Sequence, residues 1–326
     1  MMSLHKSLSA VLFSCAVLAV PAARGAEAFP QRPITLIVPF SAGGTFDLVA
    51  RWAAEKAGAG LGQTMIVENK PGAGGTLGGR MVSQAKPDGY TLLLSGVGPI
   101  SISPAVYSNL GYDPGKALAP VIQLTSSPLV LATSLEFKGA SVGDFVEFLK
   151  QKPDAYNYAS TGNGTVVHLA GEYFKQSTGT SFEHIPYSGG SQATLSLLKG
   201  DANFSITNIP NVLEQIKSGK LKGLATTGRH RSPALADLPT MDEAGLKGFD
   251  VTGWIGIFAP AGTPPAVLDK LNAAFAQAMR DPQIKQRLEQ QGDNIATGPV
   301  ADFQNFVAES NVKWARIARQ AHVSID

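Results

Sequence analysis

Short apolar runs alternate with stretches of helical periodicity along this chain. "ITLIVPF" (residues 34–40) is nearly all apolar and is bounded by Pro33 and a glycine turn, the pattern of a strand buried on both faces. Phe46, Val49, Ala50, Ala53, Ala54 and Ala57 then recur at i, i+3, i+4, i+7 and i+8, which places them on one helix face, and "GAGLG" ends that helix. "TMIVENK" reads as a strand, "GGTLGGRMVSQAKPDGY" as a glycine-started helix and turn, and "TLLLSG" as a third strand. Strand–helix–strand alternation predicts an α/β unit with a mostly parallel sheet.

The pattern then restarts. "PLVLATS" is a strand, "SVGDFVEFLKQKP" a helix capped by Ser141, and "YNYAST" a strand. "TVVHLAGEYFKQSTG" is a helix with Val166, Leu169, Ala170, Tyr173 and Phe174 on its apolar face. "FEHIPYSGG" leads into "SQATLSLLKG"; "ANFSITN", "NVLEQIKSG" and "LKGLATTG" read as strand, helix, strand. A last apolar run, "VTGWIGIFAP", precedes helices that Pro282 divides, with Leu271, Ala274, Phe275 and Ala278 as a core-facing stripe. Two α/β units with a helical return predict two lobes. The long apolar segments "LAPVIQLTSSPLVLA" and "FDVTGWIGIFAPAG" are the natural crossings, which assigns residues 29–127 and 253–326 to lobe 1 and 128–252 to lobe 2.

Two glycine turns share one layout. "FSAGGT" ends one strand and opens a helix; "STGNGT" (residues 160–165) does the same in the second unit, each with a threonine available as cap, Thr45 and Thr165. The first N–H groups of a helix lack intrahelical partners and attract anions, and glycine lets an anion approach the backbone closely. In open α/β sheets such turns sit where ligands bind. Each alone reads first as a tight strand–helix turn; the pair reads as two jaws around a carboxylate. Asp47 is either a dipole-stabilising cap, a partner for a ligand's ammonium or amide group, or a lock on the loop through backbone N–H groups. His168, in a first helical turn, should be mostly neutral near pH 7, and either donates to a carboxylate or ties down its own turn.

The N-terminus changes the picture of where the chain works. Lys6, the apolar run Leu8–Val20 and small residues up to Ala28 form the pattern of a cleaved secretory signal peptide over residues 1–28. The only cysteine, Cys15, falls inside it, so a chain cleaved there has no thiol chemistry and no disulfide. Removing Lys6, Arg24 and Glu27 from 27 basic and 25 acidic residues leaves 25 and 24, without a basic run, so nucleic acid is not an expected partner. The expected product is an exported, monomeric chain needing no cofactor.

Enzymatic motifs fit poorly. Gly72, Gly74 and Gly78 are spaced G-x-G-x-x-x-G, not as a dinucleotide fingerprint. Gly189-Gly190-Ser191-Gln192-Ala193 lacks the final glycine of a nucleophile elbow. His168 and Glu172 stand at i, i+4 without the second histidine of a zinc helix, and His184, His230 and His322 look scattered, so neither a catalytic residue nor a metal ligand is assigned.

"PFSAGGTFDLVAR", "IVENKPGAGGTLGG", "AKPDGYTLLL", "SPAVYSNLGYDP", "YASTGNGTVVHLAGEYFK", "IPYSGG" and the segment from "ATTGRHRSPALADLP" to "GIFAPAGTP" occur in this order across the whole chain beyond the signal. In this it resembles the Bug/TctC family, the periplasmic solute-binding proteins of tripartite tricarboxylate transporters. The resemblance implies an α/β, two-lobed type II periplasmic-binding-protein fold with the ligand in the cleft between lobes. It implies a small carboxylate gripped largely by backbone N–H groups and ordered water, and delivery to transporter membrane subunits. Signalling, or an enzyme on the same scaffold, is the alternative. Carried over by position, the ligand loops are Ser41, Ala42, Gly43, Gly44, Thr45 and Asp47, and Ser160, Thr161, Gly162, Asn163, Gly164 and Thr165 with His168. The chain departs from the family at Thr207-Asn208, where an acidic residue often precedes the asparagine; facing the cleft, these two would meet the ligand's distal end. It also departs at "SGVGPISISP", where a histidine-containing segment is common. Both departures leave the particular carboxylate open.

Overall fold

The computed structural model describes residues 29–325, so the signal peptide expected over residues 1–28 lies outside the described residues. The first elements are β1 (Ile34–Val38), α1 (Thr45–Leu61), β2 (Met65–Asn69), α2 (Thr76–Ser83) and β3 (Thr91–Gly96). A wide helical turn at Gly98–Ile102, α3 (Ser103–Val106) and α4 (Pro114–Ala117) lead into β4 (Leu118–Thr133), a strand of 16 residues. Then come α5 (Val142–Gln151), β5 (Asn157–Ser160), α6 (Val166–Thr178), β6 (Glu183–Pro186), α7 (Gly190–Lys199), β7 (Phe204–Asn208), α8 (Ile209–Lys217) and β8 (Lys222–Thr226). The chain returns through β9 (Thr252–Pro260) and continues as α9 (Pro265–Ala278), α10 (Pro282–Gln290), β10 (Asn294–Ile295) and α11 (Val300–Gln320).

One continuous sheet runs β2-β1-β3-β9-β4-β7-β5-β6, with β8 and β10 paired to β4 off that path. The expected parallel character holds only in the outer triples, β2-β1-β3 and β7-β5-β6. Every pairing of β4 and β9 is antiparallel. The reason is that β4 leaves the first unit and β9 returns to it through the same gap, so the two segments meet running in opposite directions.

β4 changes partner partway along. Leu118 to Pro128 lies opposite β9, whereas Leu129 to Thr133 lies opposite β7. Pro128 has no N–H to give a ladder, which suits the change. The next N–H, of Leu129, donates to Thr227 Oγ1 at 2.8 Å. The register also slips beside Pro120, the other proline in the strand.

The strands β1, β3, β7 and β9 are buried on both faces, as continuous apolar runs require. Ile34, Leu36 and Val38 join Val49, Ala50, Ala53, Ala54 and Ala57 of α1 and Leu271 and Phe275 of α9 in one cluster. Ile37 and Leu93 turn to the opposite face and a second cluster. Burying a side chain of this size contributes about 1.5–3 kcal/mol, so the helix stripes seen in sequence are what dock the helices. At α5, Ser141 forms a full capping box with Asp144.

The candidate functional site

The first loop leaves β1 and enters α1. Its helix is capped by Gly44, whose backbone is extended and which offers no side-chain cap, so Thr45 is the first helical residue and not the expected cap. Gly43 adopts φ +84°, a conformation that side-chain-bearing residues rarely take. Residues 41–45 are exposed.

Asp47 explains how this exposed loop keeps its shape. Its carboxylate is 3% exposed and accepts from the Gly43 amide at 2.9 Å, from Asn69 Nδ2 at 2.9 Å and from Arg51 Nε at 3.0 Å. Arg51 also pairs with its other oxygen at 2.9 Å and donates to Asn69 Oδ1. Asn69 closes the ring by donating to the Phe40 carbonyl at 3.0 Å. The Arg51 hydrogen bond, more than any other contact, holds the Asp47 carboxyl down at about 2, against the opposing pull of burial. Of the three roles open to Asp47 in the sequence, the loop lock is the one the geometry takes. Arg51 and Asn69 are the residues sequence reading missed; Arg51 stands at i+4 from Asp47 on α1, a spacing the sequence shows, whereas Asn69 reaches the loop only through the fold.

The second loop leaves β5 and enters α6. Thr165 is the cap, as expected, its Oγ1 accepting from the His168 amide at 3.2 Å. Gly162 and Gly164 take φ of 128° and 70°. Their amides are both tied down from within: Gly162 N donates to Ser160 Oγ at 3.1 Å, and Gly164 N to His168 Nδ1 at 3.1 Å. His168 is buried and its proton affinity is lowered, chiefly by desolvation, in the direction expected from sequence. It acts on its own turn. His184, which looked scattered in sequence, stacks on it with ring centroids 4.0 Å apart and planes within 9°.

The amides left over are informative. Among the described residues, the backbone N–H groups of Ser41, Ala42, Gly44 and Thr45 have no protein acceptor, nor do those of Thr161 and Asn163. In each loop, then, some amides fix the shape and others remain uncommitted at a helix N-terminus, where partial positive charge gathers.

Strand directions bring the two sets together. β1 and β5 are each the middle strand of an outer triple. β4 is parallel to β1 by way of β3 and β9, and antiparallel to β5 by way of β7. It therefore leaves the first triple at its carboxyl end and enters the second at its carboxyl end. Both glycine loops are aimed from opposite sides at the crossing near Ser127–Pro128.

Thr207 and Asn208 reach the same crossing, with Asn208 opposite Leu129. Thr207 is 2% exposed and its Oγ1 accepts from Asn211 Nδ2 at 3.2 Å; Asn208, half-buried, precedes α8 without capping it through its side chain. The Tyr187 carbonyl adjoins Gly162, which adds the turn before α7 to this neighbourhood. Among the described residues no cluster of three or more His, Cys, Asp or Glu could hold a metal ion.

Comparison with known proteins agrees with this architecture. Residues 49–323 match the tripartite tricarboxylate transporter family receptor. BugT of Bordetella pertussis is 32% identical over 320 residues, covering 98% of each chain. MatC from Rhodopseudomonas palustris, solved with bound malate, is 32% identical with a TM-score of 0.72, covering 89% of this chain and 99% of its own. An R. palustris protein solved with adipate is 30% identical with a TM-score of 0.76, covering 91% and 99%. The fold is the two-lobed α/β fold of periplasmic solute-binding proteins, and the chain belongs to the tripartite tricarboxylate transporter receptor family.

Proposed function

We propose that this protein captures a small carboxylate between its two glycine loops and presents it to the membrane subunits of a tripartite transporter. The observation that carries this reading is the pairing of uncommitted amides, at 41, 42, 44 and 45 in one loop and 161 and 163 in the other, aimed at one crossing. An anion there would complete two helix N-termini at once. The lobes are residues 29–127 with 253–326, and 128–252; closure of one on the other follows because the ligand touches both. Thr207 and Asn208 meet the part of the ligand away from the carboxylate.

Each hydrogen bond to a charged group contributes about 1.5–3 kcal/mol. A handful of them, after desolvation and closure costs, reaches micromolar affinity, about −8 kcal/mol. The relatives' malate and adipate make dicarboxylates the first class to try. The protein acts by binding, as a monomer in the periplasm after removal of residues 1–28. Calorimetric titration with malate, adipate and other carboxylates, each beside its amide, tests this. Saturable binding of an acid with no binding of its amide is expected. Equal binding of acid and amide, or steady turnover of the bound acid, would overturn it.

A further inference from the structure

We propose that His184 is a positioning residue for the second glycine loop, and that the stacked His184–His168 pair is a proton-operated release for the anion the loop holds. This rests on the carboxylate-binding reading and adds a regulation to the same site.

The geometry gives each histidine one end of the loop. His184 stands on β6 opposite Tyr158 of β5, and its Nε2 lies 2.7 Å from Ser160 Oγ. That hydroxyl accepts the Gly162 amide, while the Gly164 amide ends on His168 Nδ1. The two glycine amides are thus turned inward onto the histidine pair. The amides between and before them, of Asn163 and Thr161, are left uncommitted. A neutral His168 that accepts at Nδ1 carries its proton on Nε2.

An imidazolium donates from both nitrogens and accepts from neither. Protonated His168 would set a ring N–H against the Gly164 N–H, and the loop would have to move. Protonated His184 would place a full charge against the parallel ring of His168, which in turn resists charging beside it. Two neighbouring charges bear on the pair, both from α6: Glu172, which favours a charged His168, and Lys175, which opposes charge on both rings. They are paired with each other at 3.1 Å. Lys175 also lies over the Phe182 ring. The Tyr158 ring, 6.1 Å from His184, brings a hydroxyl that burial keeps neutral. Burial, followed by His168 and Lys175, pulls His184 down to about 4, and burial lowers His168 as well. At neutral pH the pair is uncharged and the loop is braced; acidification breaks the brace.

The test combines imidazole nitrogen NMR, hydrogen exchange at Gly164 and calorimetric titration with malate and adipate, in wild type, His184→Gln and His184→Ala. At pH 7, His168 Nδ1 should read as an unprotonated acceptor and the Gly164 amide should be protected. Protection and affinity should fall together as the His168 signal titrates, while circular dichroism still reports a folded chain. His184→Ala should weaken binding about fivefold to tenfold at pH 7, the loss of one neutral hydrogen bond. His184→Gln, which can still bond Ser160, should bind as wild type at pH 7 and lose affinity only at lower pH. The proposal is overturned by an unprotected Gly164 at pH 7, by protection that outlasts His168 titration, by affinity that rises on acidification, or by unfolding that precedes loss of protection. Absence of any carboxylate binding would count against the anion reading, and the NMR and exchange results would still decide the brace.

Discussion

Gly43 donates its backbone N–H to the carboxylate of Asp47 at 2.9 Å, four residues further along the chain. The negative charge nearest the first glycine loop is therefore consumed by the loop's own backbone, and by Arg51 and Asn69. A charge that would repel an anion is neutralised in place, and the turn is fixed with its other amides outward.

Replacing Asp47 with Asn should accordingly destabilise the fold and blur the loop, not remove a ligand contact. Hydrogen bonds to a charged group contribute about 1.5–3 kcal/mol. Arg51 is half exposed, so solvent screening holds the expected loss to about 1–2 kcal/mol at pH 7. Asp47 titrates lower in the fold than its ordinary 3.8, at about 2. Its stabilisation is thus complete above pH 4 and disappears as pH falls through 2. Urea melts of wild type and Asp47→Asn should differ at pH 7 and converge towards pH 2; a constant difference would contradict the lock.

The stacked histidines set a second pH window. In the unfolded chain a histidine takes up a proton near 6.5, while folded His184 resists it down to about 4. The unfolded state binds more protons in between, so stability should decline as pH falls from 6.5 to 4. His184→Gln should flatten that part of the profile while leaving the Asp47 window below it. Urea midpoints measured every half unit between pH 7 and 4 check this. An equally steep decline in His184→Gln would assign the loss elsewhere.

Much of the frame was readable before any coordinates. The stripe from Val49 to Ala57 makes a helix face whatever surrounds it, and Ser141 followed by Asp144 forms a capping box that periodicity and spacing reveal. The segment read as a crossing, "LAPVIQLTSSPLVLA", is one strand. Three features were not readable, each for a physical reason. β6, "EHIP", is a short, half-polar edge strand with no apolar alternation to announce it. The cap at Gly44 is decided by backbone geometry, so the neighbouring Thr45 misled. The meetings of Asp47 with Asn69 and of His168 with His184 span 22 and 16 positions. They depend on strand pairing, which no local pattern encodes.

Asp293 is a buried carboxyl at the crossing and should cost stability at neutral pH. It precedes β10, whose Asn294 pairs with Ser126 of β4. Burial pushes it up from 3.8 to about 6, with Ser127 only partly offsetting the shift. Because the folded state holds this proton more tightly, stability should fall as pH rises from about 4 to 6 and stay level above. Asp293→Asn removes the buried charge. It should raise stability at pH 7.5 by about 1–2 kcal/mol, provided the amide keeps its partner. The gain should vanish near pH 4. Thermal melts at the two pH values decide it, and a destabilised variant at pH 7.5 would show that the ionised group is held by more than Ser127.

Gly44 separates the demands of folding from those of binding. Unlike Gly43, it sits at φ −82°, which any residue adopts, and a Cβ there would meet nothing closer than the Ser41 carbonyl at 3.7 Å. Gly44→Ala should therefore fold, at a cost of no more than about 1 kcal/mol for the poorer cap. The added methyl nevertheless stands beside the uncommitted amides of Gly44 and Thr45, where close approach of an anion requires a bare backbone. Affinity for whichever carboxylate binds wild type should drop by about tenfold or more. Gly164→Ala behaves differently, because a φ of 70° strains any residue that carries a Cβ, so fold and binding suffer together. Thermal melts and titrations on the two variants distinguish the cases. Unchanged affinity in Gly44→Ala would mean that the anion does not rest on this turn, however well its amides are placed.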